Sequence, residues 1–205
     1  MKFAQRMSRL GSETAFVVLA RARALEARGK EIVHLEIGEP DFDTPRFIRE
    51  AATRALEEGF THYGPSAGLP EFRKTIADVW KAERGIPCDA DNVVVTPGGK
   101  PIMFFAMLAL LEEGDEVLYP SPGFPIYESV ANFLNARTIP LVLREQNGFD
   151  LDVKDLESRI TSRTRLLVLN SPHNPTGSVM KPETVEAVAA LARRHEAVLE
   201  EAMRH

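Results

Sequence analysis

The residues with chemical potential are gathered in three short loops. In the first, Thr96-Pro97-Gly98-Gly99-Lys100-Pro101 separates a Val-rich run from a helical stretch. Gly98 and Gly99 let the backbone come close to a ligand, and Pro101 suits a first helical position, where its missing N–H is not needed. Amides at a helix start, the helix dipole and the Lys100 ammonium all favour an anion, with phosphate the obvious candidate. The loop lacks Walker spacing and carries Pro101 where Ser or Thr would hold magnesium, so a nucleotide triphosphatase is disfavoured. A tight structural turn with a solvated lysine is the alternative.

The second loop reads Ser121-Pro122-Gly123-Phe124-Pro125-Ile126-Tyr127. Phe124, between glycine and proline, can offer a flat face to a heterocycle, or it can be core or a dimer contact. The third loop reads Asn170-Ser171-Pro172-His173-Asn174-Pro175-Thr176-Gly177. Two X-Pro pairs impose a rigid, extended path, which suits side chains that must be held in place. The Asn174 amide offers both donor and acceptor. An ordinary Pro-rich turn would look the same.

These loops need elements to position them. Helices are expected over 12–28 with Ser12 as cap, over 45–58, and from Pro70 to about Arg84 with Phe72, Ile76, Val79 and Trp80 on one face. After Asp91, short apolar runs at 93–95, 116–119, 138–143 and 166–169 alternate with helical stretches at 101–111, 126–134 and 153–160. A final helix over 183–194 leads into Ala197-Val198-Leu199, the start of a fifth strand. Such alternation predicts an α/β fold, a mainly parallel sheet with helices on both faces. Parallel sheets bind ligands at the carboxyl ends of their strands, where all three loops fall.

Composition narrows the classes. At 205 residues the chain is long enough for one α/β domain with an appendage. A net charge of -5 gives no basic footprint, which argues against nucleic acid. Cys88 alone forms neither an internal disulfide nor a metal cluster, so no metal is expected. No apolar run approaches a membrane span and the N-terminus lacks a signal-peptide core, so a cytoplasmic protein with no membrane partner is the expectation.

Taken together, the strings IGEPDFDTP, THYGPSAGLPEFR, VVVTPGGK, GDEVLYPSPGFPIY and NSPHNPTG occur in an order and spacing that resembles class I and II aminotransferases, the aspartate aminotransferase family of pyridoxal-5'-phosphate (PLP) fold type I. The resemblance runs from about residue 10 to 195 and covers the N-terminal half of such an enzyme. It implies an incomplete large domain of that fold: residues 1–45 as N-terminal arm and small-domain segment, and 46–205 as partial PLP-binding domain. By the same resemblance, Gly98, Gly99 and Lys100 hold the PLP phosphate and Phe124 stacks on its ring. Asn174 bonds the phenolic oxygen and helps position the substrate carboxylate, near which Gly38 lies. Tyr63 reaches the phosphate of the other subunit, which implies a homodimer. The substrates implied are an amino acid and a 2-oxo acid.

Two family groups have no clear counterpart. Glu201 falls roughly where the family carboxylate that holds the pyridine nitrogen protonated would be, but Glu200, Glu201 and their neighbours depart from the pattern. The Schiff-base lysine is absent, so no catalytic residue is assigned, and the expectation is a fragment or truncated chain without activity of its own. The alternatives are a PLP-dependent carbon–sulfur lyase or decarboxylase-like enzyme of the same fold, and a non-catalytic remnant.

Overall fold

The computed structural model describes residues 2–11, 14–195 and the backbone of 198–202. The expected cap at Ser12 and the strand start at Ala197 lie outside the described residues. The chain divides into two units, one of residues 15–99 and one of residues 1–14 and 100–205.

In the unit of 15–99, three helices form: α1 (Thr14–Glu26), α2 (Arg46–Glu57) and α3 (Pro70–Arg84). All lie within two residues of their expected bounds. Ala22 and Ala77 are buried, while on the expected α3 face Ile76 and Trp80 are half-covered and Phe72 and Val79 exposed. The strand expected at Val93–Val95 does not form. A strand exists only through a ladder neighbour, and among the described residues these three have none. Their backbone is satisfied otherwise: the Val95 N–H donates to the Ala67 carbonyl at 2.9 Å, and the Arg73 Nε donates to the Val93 carbonyl at 2.8 Å.

The other unit is the expected parallel α/β layer structure. It contains α4 (Gly99–Leu110), β1 (Glu116–Ser121), α5 (Ile126–Phe133), β2 (Arg137–Val142), α6 (Val153–Arg159), β3 (Thr164–Asn170), α7 (Pro182–Arg194) and β4 (Val198–Ala202). The strand order is β2-β1-β3-β4, and every pairing is parallel.

Alternation along the central strands fills two cores, because successive side chains point to opposite faces. Val117 and Tyr119 of β1 join Leu166 and Val168 of β3 under Met103 and Met107 of α4 and Tyr127 and Val130 of α5. Leu118, Leu167 and Leu169 meet Leu156 of α6 and Val188 and Leu191 of α7 on the opposite face. Burial on both faces explains why 166–169 reads as a continuous apolar run.

Two features tie the edges of this unit. Glu116 is buried at the start of β1, where its carboxylate accepts from the Thr161 hydroxyl at 2.6 Å and pairs with Arg137 and Arg163 at 3.3 and 3.4 Å. At the N-terminus, a 3₁₀ turn over Gln5–Arg9 brings Arg9 to the end of α5. Its Nε and Nη2 donate to the carbonyls of Asn132 and Phe133 at 2.9 and 3.1 Å, satisfying groups that a helix end leaves open. The Gly11 N–H donates to the Ser129 hydroxyl at 3.0 Å.

Candidate functional site

The strand order reverses at β1: the chain runs outward from β1 to β2, then crosses back to β3 on the other side. Such a switch point, at the carboxyl ends of the two strands, is where open α/β sheets take ligands. The loop after β1 carries Phe124 and the loop after β3 carries Asn174. The topology therefore brings these two expected site residues to one end of the sheet.

Phe124 is held by its surroundings. Its ring meets Tyr127 edge to face, with centroids 6.1 Å apart and planes at 87°, and it packs against the α4–α5 core. Gly123 is required by close approach, because a Cβ there would sit 2.2 Å from the Pro120 carbonyl oxygen. The Lys100 ammonium stands 5.7 Å from the Phe124 ring centroid, within the range of a cation–π contact. An ammonium at a helix start can neutralise an anion, and an aromatic face can stack on a flat ring.

Gly98 lies in the left-handed region, at φ 94°, with open space where a Cβ would stand. Its N–H donates to the Thr96 carbonyl at 2.9 Å, and the Thr96 hydroxyl donates to the Gly98 carbonyl at 2.7 Å. Gly98 thus serves the turn both by its conformation and by its amide. Gly99 opens α4, also with open space at its Cβ position. Gly98, Gly99, Gly38 and Tyr63 belong to the unit of 15–99, where all four are exposed.

The loop after β3 is bonded into one shape. The Asn174 N–H donates to the Asn170 side-chain oxygen, the Gly177 N–H to the His173 carbonyl at 2.7 Å, and the His173 N–H to the Ser178 carbonyl at 2.7 Å. Asn174 is exposed. The sequence marked this loop as rigid but treated His173 only as a neighbour of Asn174. The structure buries His173, at 5% exposure.

Its Nδ1 lies 2.8 Å from the Thr176 hydroxyl, which lies 3.0 Å from the Ser178 hydroxyl; that hydroxyl donates to the Phe149 carbonyl at 3.4 Å. The donor and acceptor roles along this chain depend on the ring tautomer. Nε2 is buried and has no partner with hydrogen-bond geometry. The ring borders a water-sized cavity of about 20 Å³ under the strand ends, alongside Asn170, Ser178 and Asp150. That cavity is too small for a cofactor.

Burial lowers the His173 pKa below the ordinary 6.5, and the Pro122 carbonyl nearby pulls the other way. The folded state therefore binds fewer protons than the unfolded one between the folded value and 6.5. The stability contributed by neutral His173 is present above 6.5 and lost as the pH falls through the folded value. Replacing His173 by Ala is expected to cost about 1–3 kcal/mol at neutral pH, through the orphaned Thr176 bond and the lost packing. In urea unfolding, the gap between wild type and His173→Asn should shrink below pH 6.5. A gap that stays constant down to pH 5 would contradict the neutral assignment.

Among the described residues, no cluster of His, Cys, Asp or Glu could hold a metal, and no helix is long and apolar enough to cross a membrane. The side-chain roles considered for Glu200 and Glu201 lie outside what is described. Their backbone belongs to β4, where Glu201 pairs with Leu169.

Comparison with known proteins extends these observations. The family model for aminotransferase class I and II matches residues 30–199. A probable aspartate/prephenate aminotransferase of Aquifex aeolicus is 40% identical over 186 residues, which is 91% of this chain and 47% of the relative. The aspartate/prephenate aminotransferase of Thermus thermophilus is 38% identical over 94% of this chain and 50% of its own length. Among solved structures, a Thermus thermophilus aspartate aminotransferase with maleate superposes with a TM-score of 0.94 at 37% identity, over 98% of this chain and 53% of that one. An alanine aminotransferase of Pyrococcus furiosus gives 0.92 at 31% identity, over 98% and 51%. The chain spans about half the length of the curated relatives it matches.

Proposed function

The chain belongs to the class I and II aminotransferase family, and on that premise we propose that it holds PLP at the β1–β3 switch point in the service of amino transfer between an amino acid and a 2-oxo acid. The observation that carries this reading is the Lys100 ammonium 5.7 Å from the ring of Phe124, whose loop follows β1 at the same sheet end as the loop that carries Asn174. When bound, PLP supplies an electron sink conjugated to the substrate α-carbon.

This chain's residues would hold and orient it. The first turn of α4, with Gly98 and Gly99 giving room, and the Lys100 ammonium neutralise the phosphate. Phe124, fixed by Tyr127 and Gly123, covers one face of the ring and excludes water from it. Asn174 donates its amide to a ring oxygen and orients the substrate carboxylate, which meets the Gly38 backbone.

Tyr63 in this reading serves the phosphate of a second copy, in a cytoplasmic homodimer. Residues 1–45 make an arm and small-domain segment, and 46–205 a partial PLP-binding domain. Aspartate, the amino acid in the relatives' names, is the donor to try first. Those names are of aminotransferases, which weighs against the carbon–sulfur lyase alternative. The chain by itself is inactive in this reading, because Lys100 serves the phosphate and no lysine is assigned to the cofactor's reactive carbon.

Titrating the 205-residue chain with PLP and following the induced circular dichroism of the cofactor tests the site. Binding is expected, weakened about tenfold (~1.4 kcal/mol) by Phe124→Ala and by Lys100→Ala. No induced signal, or titrations unchanged in both variants, would overturn the assignment.

A further inference from the structure

The cofactor reading leaves unused a side-chain cluster in the unit of 15–99. His34 Nδ1 lies 2.6 Å from Glu36 Oε1, and its Nε2 lies 2.7 Å from Glu26 Oε1. The second Glu36 oxygen accepts from the Leu35 N–H at 2.9 Å, so that carboxylate is itself fixed. Glu26 is the last residue of α1. The chain turns back after it, with the Gly29 N–H donating to the Glu26 carbonyl and the Lys30 N–H to the Leu25 carbonyl. One ring thus joins the end of a helix to the returning segment, four residues before Gly38.

A carboxylate only accepts hydrogen bonds, and a neutral imidazole has a single N–H to give. Both contacts are satisfied together only when the ring carries both protons. Deprotonation sets a nitrogen lone pair against one of the two carboxylates. We propose that His34 is a positioning residue: in its protonated form it clasps Glu26 to Glu36 and fixes the backbone that runs into Gly38, and losing the proton releases it. The link to substrate through Gly38 rests on the function proposed above; the clasp itself does not.

The charged groups acting on the ring are Glu36, from its own segment, and Glu26, from α1. The bond to Glu36 and then that to Glu26 raise the His34 pKa above 6.5, against a smaller opposing effect of desolvation. The same contact lowers that of Glu36. A folded value above the unfolded one means that the clasp acts fully below 6.5 and is lost as the pH rises through the raised folded value. The ring is partly exposed, so salt weakens the effect.

The test needs no cofactor. Carbon–proton NMR of the imidazole in the 205-residue chain is followed across the His34 transition, together with amide exchange at Ile37 and Gly38. The His34 midpoint is expected above 6.5, moving down in Glu36→Gln and in Glu26→Gln. At a pH below the midpoint, His34→Gln should exchange the Ile37 and Gly38 amides about two- to fivefold faster than wild type, the scale of an exposed ion pair. Above the midpoint the two proteins should converge. A midpoint at or below 6.5, or one indifferent to both Gln variants, would overturn the clasp. Equal exchange in wild type and variant at every pH would overturn its positioning role. Since neither measurement uses PLP, failure here and failure of the cofactor site are told apart.

Discussion

Incubation of the 205-residue chain with PLP, an amino acid and 2-oxoglutarate is expected to give no amino transfer above the rate of free PLP. Amino transfer needs an amine at the ring that moves a proton between the substrate α-carbon and the cofactor, and such general acid–base catalysis is worth about 10²–10⁴-fold. The chain has seven lysines, at positions 2, 30, 74, 81, 100, 154 and 181. Lys74 is paired with Asp78 on α3, and Lys181 precedes α7, its ammonium 3.9 Å from Asp150. Lys100 stands at the phosphate turn, where its charge serves an anion. Borohydride treatment should accordingly trap no stoichiometric PLP–lysine adduct by mass spectrometry. Turnover accompanied by an adduct at Lys100 or Lys181 would refute the inactive reading, with a full-length relative as positive control for the assay.

The second large effect concerns the sheet. Leu166→Ala and Leu167→Ala are each expected to lower unfolding free energy by about 2–5 kcal/mol, although the two side chains point in opposite directions. Leu166 is 0% exposed under α4 and α5, and Leu167 is 2% exposed under α6 and α7. Arg165, exposed on the same strand, should change stability by no more than about 0.5 kcal/mol when replaced by Ala. Urea unfolding of the three variants checks this. A small effect at either leucine would mean that the sheet is covered on one face only.

Much of this arrangement was legible in the residues, and the exceptions have physical causes. The bounds of α3 were readable because Pro70 suits a helix start and Gly85 a helix end. The runs at 116–119 and 166–169 were readable as buried strands because two-sided burial leaves few polar residues in them; the run at 138–143 was readable from its apolar composition, although it forms an edge strand with Pro140 and Val142 exposed. The run at 93–95 has the same local composition, yet strand character depends on a neighbour that a linear reading does not see. The loops after β1 and β3 were located correctly at strand ends, whereas the Gly98–Lys100 loop opens a helix but follows no strand among the described residues; the loop around His173 carried a hidden feature. Its burial depends on β-strand ends and on Thr176 and Ser178 folding back, which are tertiary facts. The separation of Gly98, whose amide is used within its turn, from Gly99, which opens α4, is likewise a matter of backbone geometry that residue types do not reveal.

The arm contact has a consequence for how the protein is made. Arg9 meets the Asn132 carbonyl across 123 residues of chain, and Gly11 meets Ser129 across 118. At a synthesis rate of about 5–20 residues per second, the segment that holds Arg9 waits roughly 6–25 s for its destination to be made. During that interval the turn over Gln5–Arg9 has no α5 to lie beside, and the whole 15–99 unit emerges in between. Residues 9–11 are thus made well before the helix they bind, and the end of α5 gains its arginine cap only after translation has passed residue 133.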